Sequence, residues 1–524
     1  IDRKKDGTYS FNVSGSSLNR FRADVFGKGS ADDLEYDKET GIDEANATAE
    51  QIMEYLMGKD NFGISSKYDG DLAYRIVVVR YAMLGNRFAR YKEVKIATDV
   101  SDKTVAYVNE HMDTLSGISV NEDMIRKYNY SEYFSSIIGY TGPISESEYT
   151  ALHKKNKDYT QNDTVGKAGM EQHYETYLRG KNGEQKFYID NVGRISEIIS
   201  STDSVAGDDL YLSIDADLQK ATYLALQNEI AAIVYSNIKS GEIPINDVYT
   251  ALIGNSVINT EHFSKSKASD TEKSVLSVFK SRQKTALGKI KQELTSSPEA
   301  LNTMSDEVLD EFTYIISMLK DDQVLLKNEI DTSDSVYQKW KNQKISPKEY
   351  LSYCITQHWI DISQLNVDEK YADSTEVYDA LCKYILKNIK TDTEFSKIIY
   401  QYMITRGEIS PRQLCLILFD QGVLDYDDAT VNKLKNGSLS PRDFLMKKIY
   451  NIEITPAQLA LEPCTGSCVV TDEKTGEILA MVSYPGYDSN KLANGVDSEY
   501  FASLQHDKSS PLLNYATQQK TAPG

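Results

Sequence analysis

The chain has 524 residues, which is too many for one hydrophobic core and enough for roughly three or four domains. Its 40% hydrophobic and 26% charged residues are typical of globular proteins and exclude a disordered chain. With 58 Lys plus Arg against 78 Asp plus Glu, the net charge is -20, and such a chain repels phosphate backbones and anionic lipid. We therefore expect no nucleic-acid partner.

The amino-terminal residues resemble neither a signal peptide nor a membrane span. They read IDRKKDGTYS, and no apolar stretch of the chain approaches the ~20 residues that cross a bilayer. Because the chain begins at Ile1 rather than at Met, we expect a trimmed or mature fragment that is soluble as given.

The cysteine and histidine contents limit the chemistry that the chain can perform. Five cysteines are too few for a disulfide scaffold. Cys464 and Cys468, in CTGSC, leave two alternatives open, a bridge across a tight loop or two free thiols. The six histidines are scattered and form no H-x-x-x-H pair, so the sequence predicts no metal site and no cofactor.

The first part of the chain mixes helix and strand signals. The β-rich runs at 74–83 and 91–100 predict strands, and SDKTVAYVNEHM predicts a capped helix directly after the second run. Further along, alternating apolar residues predict a strand over 210–214. Asp215 or Asp217 is then expected to cap a helix.

Strand signals nearly vanish between about residues 230 and 463, which predicts an all-α bundle. Ser305 opens one helix there, with apolar residues at a 3.6-residue period. A recurrent helix start places a Ser or Thr cap before Pro at the first helical position. This start occurs at Ser346, Ser410, Ser440 and Thr455. Its irregular spacing argues against a strict solenoid repeat.

A β pattern returns at Gly466. The sequence predicts a hairpin with strands over 467–472 and 477–483, followed by a Pro-Gly loop. The helical region thus interrupts an α/β domain whose first strand and helix precede residue 230. Such an insertion is tolerated where both of its ends are exposed and close together.

Three local motifs mimic functional sites. Ser277-x-x-Lys280 and Ser281-x-x-Lys284 match the pattern of a serine nucleophile with a lysine base, but alternating charge around them predicts a solvated helix face. LDYDDATVNKLKNG loosely resembles a calcium loop, yet it lacks Gly at the sixth and Glu at the twelfth position from Asp425. We expect a capped helix start there.

Stretches on both sides of the helical region carry a resemblance to a known family. VGKAGMEQHYETYLRGKNGE (165–184) and GDDLYLSIDADLQKATYLAL (207–226) resemble the junction between the non-catalytic domain and the transpeptidase domain of class B penicillin-binding proteins. VVTDEKTGEILAMVSYPGYDSN (469–490) resembles the first hairpin of that transpeptidase domain, and SPLLNYATQQKTAPG (510–524) resembles the run leading into its Ser-x-x-Lys motif. Weaker matches lie at 22–28, 108–128 and 137–145.

The resemblance implies an α+β multidomain fold. A mixed α/β N-terminal pedestal would precede the first strands and helix of a penicillin-binding-protein transpeptidase domain, which an all-α helical insertion interrupts. The implied domains are a dimerisation-type pedestal over 1–206, the first strand and helix of the transpeptidase domain over 207–229, the insertion over 230–463 and the continued transpeptidase domain over 464–524.

The resemblance also implies where the chemistry lies. The Ser-x-x-Lys motif of the family is expected directly after Gly524, so we expect no catalytic residue within this chain. The approach to the active site would comprise Asn514, Pro523 and Gly524. The sequence departs from the family at Tyr515, where Arg is usual, and at Thr521 or Ala522, where an aromatic residue is usual.

A junction motif is carried over from the family in the same way. It comprises Gly166, Gly169, Glu171, Tyr174, Arg179, Gly180 and Gly183. The first two glycines are expected to permit a close approach of backbone segments, and the last two to end the helix that contains Tyr174. Glu171 and Arg179 leave two alternatives open, helix-surface charges or structural salt bridges at the junction.

The resemblance implies that the whole protein is a peptidoglycan D,D-transpeptidase. An upstream transmembrane helix would anchor it on the extracytoplasmic face of the membrane, where it would cross-link stem peptides through a serine acyl-enzyme and be acylated by β-lactams. Cell-wall synthesis or division proteins are the implied partners, in division or cell-shape maintenance. The alternative is a catalytically inactive scaffold that organises other cell-wall synthases.

Overall fold

The computed structural model describes residues 1–4, 7–13, 15–38, 40–84, 94–115, 117–118, 120, 125–161, 163–189, 195–296, 298–365, 367, 373–493 and 497–520. The chain divides into two compact units. The first unit comprises Ile1–Met124 with Gly180–Gly207, and the second comprises Ile125–Arg179 with Asp208–Gly524. The predicted domain boundaries, which divide the chain differently, stay predictions.

The elements of the first two hundred residues are short helices and paired strands. In chain order they are β1 (Asp2–Arg3), β2 (Tyr9–Ser10), α1 (Gly15–Phe26), α2 (Ala49–Met57), α3 (Gly70–Leu84), α4 (Asp102–Glu110), α5 (Ser131–Ile138), β3 (Thr141–Pro143), α6 (Glu146–Lys155), β4 (Thr164–Gly166), α7 (Gly169–His173), α8 (Glu175–Leu178), β5 (Glu184–Ile189) and β6 (Ile195–Thr202). The strand pairs β1/β2, β3/β4 and β5/β6 are antiparallel.

The core of the first unit lies among α1, α2 and α3. Its buried members are Val25, Ala47, Ile52, Met53, Leu56 and Val77. A capping box starts α2, because the Thr48 side chain accepts from the backbone N–H of Gln51 and the Gln51 side chain accepts from that of Thr48. The helix predicted after residue 100 is confirmed as α4, with Ser101 as its N-cap.

Two strand predictions in this unit are wrong. Residues 74–83 lie in α3, where the buried Val77 packs with the α2 side chains of the core and Val78 is exposed. Tertiary packing at helical spacing therefore outweighs the β preference of the Val run. In the second run, residues 94–100 form no strand and Asp99 has a φ of 52°, while 91–93 lie outside the described residues.

The second unit is dominated by helices. Beyond α5–α8 and β3–β4 it contains α9 (Ala216–Ser240), α10 (Ile245–Gly254), α11 (Asp270–Thr295), α12 (Asp306–Asp321), α13 (Ser335–Lys341), α14 (Pro347–Thr356), α15 (Ser374–Ile389), α16 (Thr393–Thr405), α17 (Pro411–Asp420), α18 (Asp428–Lys435), α19 (Pro441–Tyr450), α20 (Pro456–Leu459), β7 (Gly466–Thr471), β8 (Ile478–Tyr484) and α21 (Ser498–His506). Short 3-10 turns connect several of them.

The strand predicted over 210–214 is also wrong. These residues form no strand, and Tyr211 is 88% exposed. Alternation alone does not make a strand, which needs a neighbour along its hydrogen-bonding edge. The predicted cap is confirmed, because the Asp215 side chain accepts from the backbone N–H of Leu218 at the start of α9.

The predicted helix starts within 230–463 are confirmed. At each of the four Ser/Thr-Pro sites the hydroxyl accepts a backbone N–H three residues on and Pro occupies the first turn. Each of the four caps is preceded, three residues earlier, by a residue with a positive φ. In chain order these residues are Gln343, Gly407, Gly437 and Ile452. That left-handed residue ends the preceding helix, so the same short turn connects successive helices.

One large core holds these helices together. Helix α12 begins after Ser305 as predicted and buries Val308, Phe312, Ile315, Ile316 and Leu319. They join a continuous apolar cluster that extends from Val234 in α9 to Leu459 in α20. The amphipathic period read from the sequence is therefore the packing face of the helix.

The predicted hairpin is confirmed as β7 and β8, and it packs on the amino-terminal half of α9. Tyr223 and Ile230 of that helix share a buried cluster with Val482 and Tyr484 of β8. The Gln219 side chain is fully buried and exchanges hydrogen bonds with the backbone of Met481, through Nε2 at 3.0 Å and Oε1 at 2.8 Å. Helix α9 thus fixes the position of the hairpin.

A buried carboxyl group in the helical region is unpaired. Glu311 on α12 is 1% exposed, and neither of its carboxyl oxygens has a hydrogen-bond partner in the described part of the chain. Burial, reinforced by the nearby Glu307 and Asp310, raises the pKa of Glu311 to about 8. The carboxyl group is therefore protonated in the folded protein at neutral pH.

We expect this group to make stability fall as pH rises. Its pKa is about 4.5 in the unfolded chain and about 8 in the folded one, so its contribution is complete below the first value and is lost as pH rises through the second. Between pH 5 and 8 the protonated Glu311 should make the free energy of unfolding fall by up to about 1.4 kcal/mol per pH unit. Glu311→Gln should remove this dependence. Urea denaturation at several pH values measures this slope. The exposed Glu329→Gln is the control, and equal slopes in all three proteins would contradict the expectation.

We predict that residues 230–463 fold as a separable unit, because their core is large and continuous. A fragment of these residues should be helical and should unfold cooperatively when heated, as followed by circular dichroism. A gradual loss of signal without a transition would contradict this prediction.

Candidate functional site

Five residues of the predicted junction motif, from Gly166 to Arg179, lie in the second unit, on β4, α7, α8 and the residues that flank these helices. Gly169 has a φ of +58°, and a Cβ atom placed on it would lie 2.4 Å from the carbonyl oxygen of Ile137. A Cβ atom on Gly166 would lie 2.1 Å from the carbonyl oxygen of Glu171. Only glycine fits at either position, because both backbones are closer than a side chain permits. The close approach expected from the sequence is present.

Glu171 on α7 is buried beside a cation. Its carboxylate lies 3.1 Å from Nε of Arg126 and accepts a hydrogen bond of 3.3 Å from the hydroxyl of Tyr128. The Glu171 side chain is 7% exposed and that of Arg126 is 42% exposed. Burial raises the pKa of Tyr128 to about 12, so this hydroxyl remains a donor at neutral pH.

A second buried carboxylate, Glu175, was not identified from the sequence. It accepts hydrogen bonds from the backbone N–H of Gly166 at 2.7 Å and from the hydroxyl of Tyr159 at 3.3 Å. Burial raises the pKa of Glu175 despite these two bonds. Its position four residues after Glu171 is the signal that could have identified it, because that spacing places both side chains on neighbouring helical turns.

Arg179 closes the motif. Its guanidinium forms an ion pair with Asp163, donates to the carbonyl oxygen of Asp158 at 3.0 Å and lies 3.9 Å from the ring centroid of Tyr159. The side chains of Arg179 and Asp163 are 9% and 12% exposed. Of the two alternatives left open for Glu171 and Arg179, the structure therefore shows structural salt bridges.

The expected helix around Tyr174 is two helices rather than one. Tyr174 stands between α7 and α8, with a φ of -105° that ends the first and precedes the second.

The last two glycines of the predicted motif lie in the first unit. Gly180 has a φ of +72°, and a Cβ atom on it would lie 2.2 Å from the carbonyl oxygen of Val205. A Cβ atom on Gly183 would lie 2.8 Å from that of Thr202. These glycines permit a close backbone contact after the helix has ended.

The segment predicted as the approach to the active site is anchored in the second unit. The Asn514 side chain donates to the carbonyl oxygen of Ser136 at 3.1 Å. The backbone N–H of Tyr515 donates to the hydroxyl of Ser483 on β8 at 2.9 Å. The Tyr515 hydroxyl donates to the carbonyl oxygen of Ser509, so this departure from the family is accommodated locally.

Pro523 and Gly524, together with Thr521 and Ala522, lie outside the described residues.

The loop after β8 connects the hairpin to the junction motif. The side chain of Asn490 donates to the carbonyl oxygen of Tyr128 at 3.0 Å and accepts from its backbone N–H at 2.8 Å. The backbone N–H of Tyr487 donates to the hydroxyl of Ser135, and its phenol donates to the Ser135 carbonyl oxygen. Sequence reasoning did not identify these contacts, because they join residues more than 350 positions apart.

The local motifs that mimic functional sites are not assembled into a site. Ser277, Lys280, Ser281 and Lys284 are all exposed on α11, as predicted. Asp427 caps α18, which confirms a helix start rather than a calcium loop. The cysteines, including Cys464 and Cys468, are free thiols. The described residues contain no group of three side chains suited to a metal ion.

Both charged residues of the predicted motif, Glu171 and Arg179, are paired with an opposite charge. No helix in the described part of the chain combines the length and the apolar character of a membrane span.

Two protein-family models match the chain on either side of the helical region. The penicillin-binding protein dimerisation domain matches residues 28–212, and the penicillin-binding protein transpeptidase domain matches residues 466–524. The junction motif lies within the first match. The hairpin and the anchored segment around Asn514 lie within the second.

Individual relatives carry consistent names. Peptidoglycan D,D-transpeptidase MrdA of Salmonella typhimurium is 28% identical over 157 residues, which are 30% of this chain and 25% of the relative. Penicillin-binding protein 2A of Bacillus subtilis is 34% identical over 136 residues, 26% of this chain and 19% of the relative. MrdA of Acinetobacter baumannii is 30% identical over 152 residues, 29% of this chain and 22% of the relative. The aligned part therefore spans a quarter or less of these relatives.

We expect loss of the Arg179 side chain to destabilise the second unit. Arg179→Ala leaves the largely buried Asp163 without its cation, and breaking a buried pair costs about 3 kcal/mol of unfolding free energy, which is an upper value for this partly exposed pair. The exposed pair of Arg75 and Asp71 provides the control, and Arg75→Ala should cost less than about 0.5 kcal/mol. Urea denaturation measures both. Equal losses of unfolding free energy in the two variants would contradict this prediction.

Proposed function

We propose, from the fact that this chain belongs to the class B penicillin-binding proteins, that it is part of a peptidoglycan D,D-transpeptidase. In this proposal it supplies the non-catalytic pedestal and the first part of the catalytic domain. The relatives named for that activity support the proposal through the two segments that they share with this chain.

The packing of the hairpin on α9 is the observation that carries the proposal. The residues that match the transpeptidase domain begin at Gly466, yet β7 and β8 share a core with Tyr223 of α9, which precedes the helical region. Gln219 adds buried hydrogen bonds to β8. Two distant parts of the sequence thus form one structure, as expected of a transpeptidase domain that hosts an insertion.

The proposed chemistry lies beyond the described residues. By its resemblance to the family, the whole protein has a Ser-x-x-Lys motif directly after Gly524. A serine hydroxyl is a weak nucleophile until a nearby base takes its proton, and a lysine three residues later on a helix lies on the same face. The serine would then form an acyl-enzyme with a stem peptide or with a β-lactam. The anchoring of Asn514 and Tyr515 supports a fixed approach to that motif.

The proposed location and partners follow from the same membership. The pedestal would hold the catalytic domain outside the membrane, with an anchor that precedes Ile1 in the whole protein. Peptidoglycan stem peptides would be the substrates, and other cell-wall synthesis or division proteins would be the partners. The buried charge pairs of the junction support a positioning role for the pedestal.

We expect a fluorescent penicillin to distinguish an enzyme from an inactive scaffold. The chain of residues 1–524 should not be labelled, because the proposed nucleophile lies outside it. The protein extended through the transpeptidase domain encoded by its gene should be labelled covalently, as judged by gel fluorescence.

Replacing the serine of its Ser-x-x-Lys motif with alanine should abolish the label. Labelling of the 524-residue chain itself would contradict the proposed position of the nucleophile. An unlabelled but folded extended protein would favour the scaffold.

A further inference from the structure

A basic face on the helical region is unexplained by the proposed function. Two adjoining clefts, of about 400 and 490 Å³, lie where α17, α19 and the end of α9 come together, and both are lined by Arg442. Tyr249 and Arg412 line the smaller cleft, and Lys239 and Lys447 line the larger one. This concentration of positive charge lies in a chain whose net charge is -20.

The arginines of this face have no ion-pair partner. Among the arginines described in 208–520, Arg282 and Arg406 each pair with a glutamate. Arg412 and Arg442 form no salt bridge with any described residue, and Arg442 makes only a 3.3 Å hydrogen bond to the carbonyl oxygen of Ile238. Both side chains are exposed, so their guanidinium groups are accessible to an anion in the cleft.

A tyrosine that lines the smaller cleft has a hydroxyl group without a hydrogen-bond partner among the described residues. Tyr249 is only 4% exposed, yet its phenol forms no hydrogen bond with any described residue. The ring is buried, whereas the hydroxyl oxygen is reached from the cleft. Burial raises the pKa of Tyr249 to about 12, so the hydroxyl is a hydrogen-bond donor at neutral pH. It is available to a ligand in the cleft.

The backbone adds to this positive potential. Helices α17 and α19 are ten residues each, and their first turns, at Ser410–Arg412 and Ser440–Arg442, line the smaller cleft. Each N-terminus carries partial positive charge, and its one N–H group not used by the cap is that of Arg412 or Arg442, because Pro411 and Pro441 have none and Gln413 and Asp443 donate to the Ser caps. One acidic side chain opposes them, since Asp443 lines the adjoining cleft beside Lys239, Arg442 and Lys447.

We propose that this face binds the phosphate group of a phosphate-bearing ligand, held by Arg412, Arg442 and Tyr249 in the smaller cleft. Two guanidinium forks and a hydroxyl present donors from several directions beside the positive ends of two helices, which suits an anion with several oxygens better than a planar carboxylate. The adjoining cleft offers room for the organic part of an ester. Its wall includes the rings of Tyr235 and Tyr450, whose centroids are 5.1 Å apart.

The test uses the full 524-residue chain and two probes, inorganic phosphate and glycerol 3-phosphate. Phosphorus-31 line broadening at constant ionic strength measures binding of each, and acetate is added as a competitor. We expect both probes to bind and acetate to compete poorly. Arg412→Gln with Arg442→Gln should weaken binding about tenfold or more, and Tyr249→Phe about fivefold.

The matched control removes two charges from another face of the same region. Lys280→Gln with Lys284→Gln changes exposed side chains of α11 and should leave binding unchanged. Tighter binding of glycerol 3-phosphate than of inorganic phosphate would assign an ester as the ligand, and equal binding would assign phosphate alone. Binding that survives the double arginine substitution, that is lost equally in the control, or that acetate displaces as well as phosphate does would overturn the proposal.

Discussion

The architecture depends on one helix that belongs to two cores at once. The amino-terminal half of α9 buries Gln219 and Tyr223 against the hairpin, and its carboxyl-terminal half buries Val234 and Ile238 in the helical core. Gln219 is an effective clamp because its amide both donates to and accepts from one backbone position while it is shielded from water. This helix keeps the hairpin packed on its amino-terminal half, although the hairpin follows the whole helical region in the sequence.

Buried charge gives the segment around Glu171 and Glu175 in the second unit a defined geometry, at an energetic cost. Removing carboxylates such as Glu171 and Glu175 from water is unfavourable, and ion pairs and hydrogen bonds offset that cost only when the geometry is good. An apolar cluster tolerates small displacements, whereas a carboxylate held by a backbone N–H and a phenol does not. The contacts of Asn490 with Tyr128 connect this motif to the loop after β8, so the junction and the hairpin constrain each other.

The parts of the fold that could be predicted from the sequence are those with local causes. A Ser-Pro start such as Ser410 needs only its own helix, and the hairpin needs only two short strands and a turn. The run at 74–83 predicts a strand because its Val residues favour strands. It is a helix instead, because Val77 packs against side chains of α2. The spacing of Glu175 from Glu171 indicates neighbouring side chains, but its partner Gly166 stands nine residues earlier, before α7, and the sequence does not reveal that contact.

Total charge conceals the distribution of charge over the surface. Acidic side chains outnumber basic ones across the chain, yet only some of the arginines in the helical region form ion pairs. Arg282 and Arg406 are neutralised by glutamates, whereas Arg412 and Arg442 follow the Ser-Pro caps directly and are held at one cleft by the helices that those caps start. The same local signal that builds the bundle therefore also places its unpaired cations. The negative net charge of the chain argues against binding a long phosphate backbone. It is compatible with binding one phosphate group at a cleft where the local charge is positive.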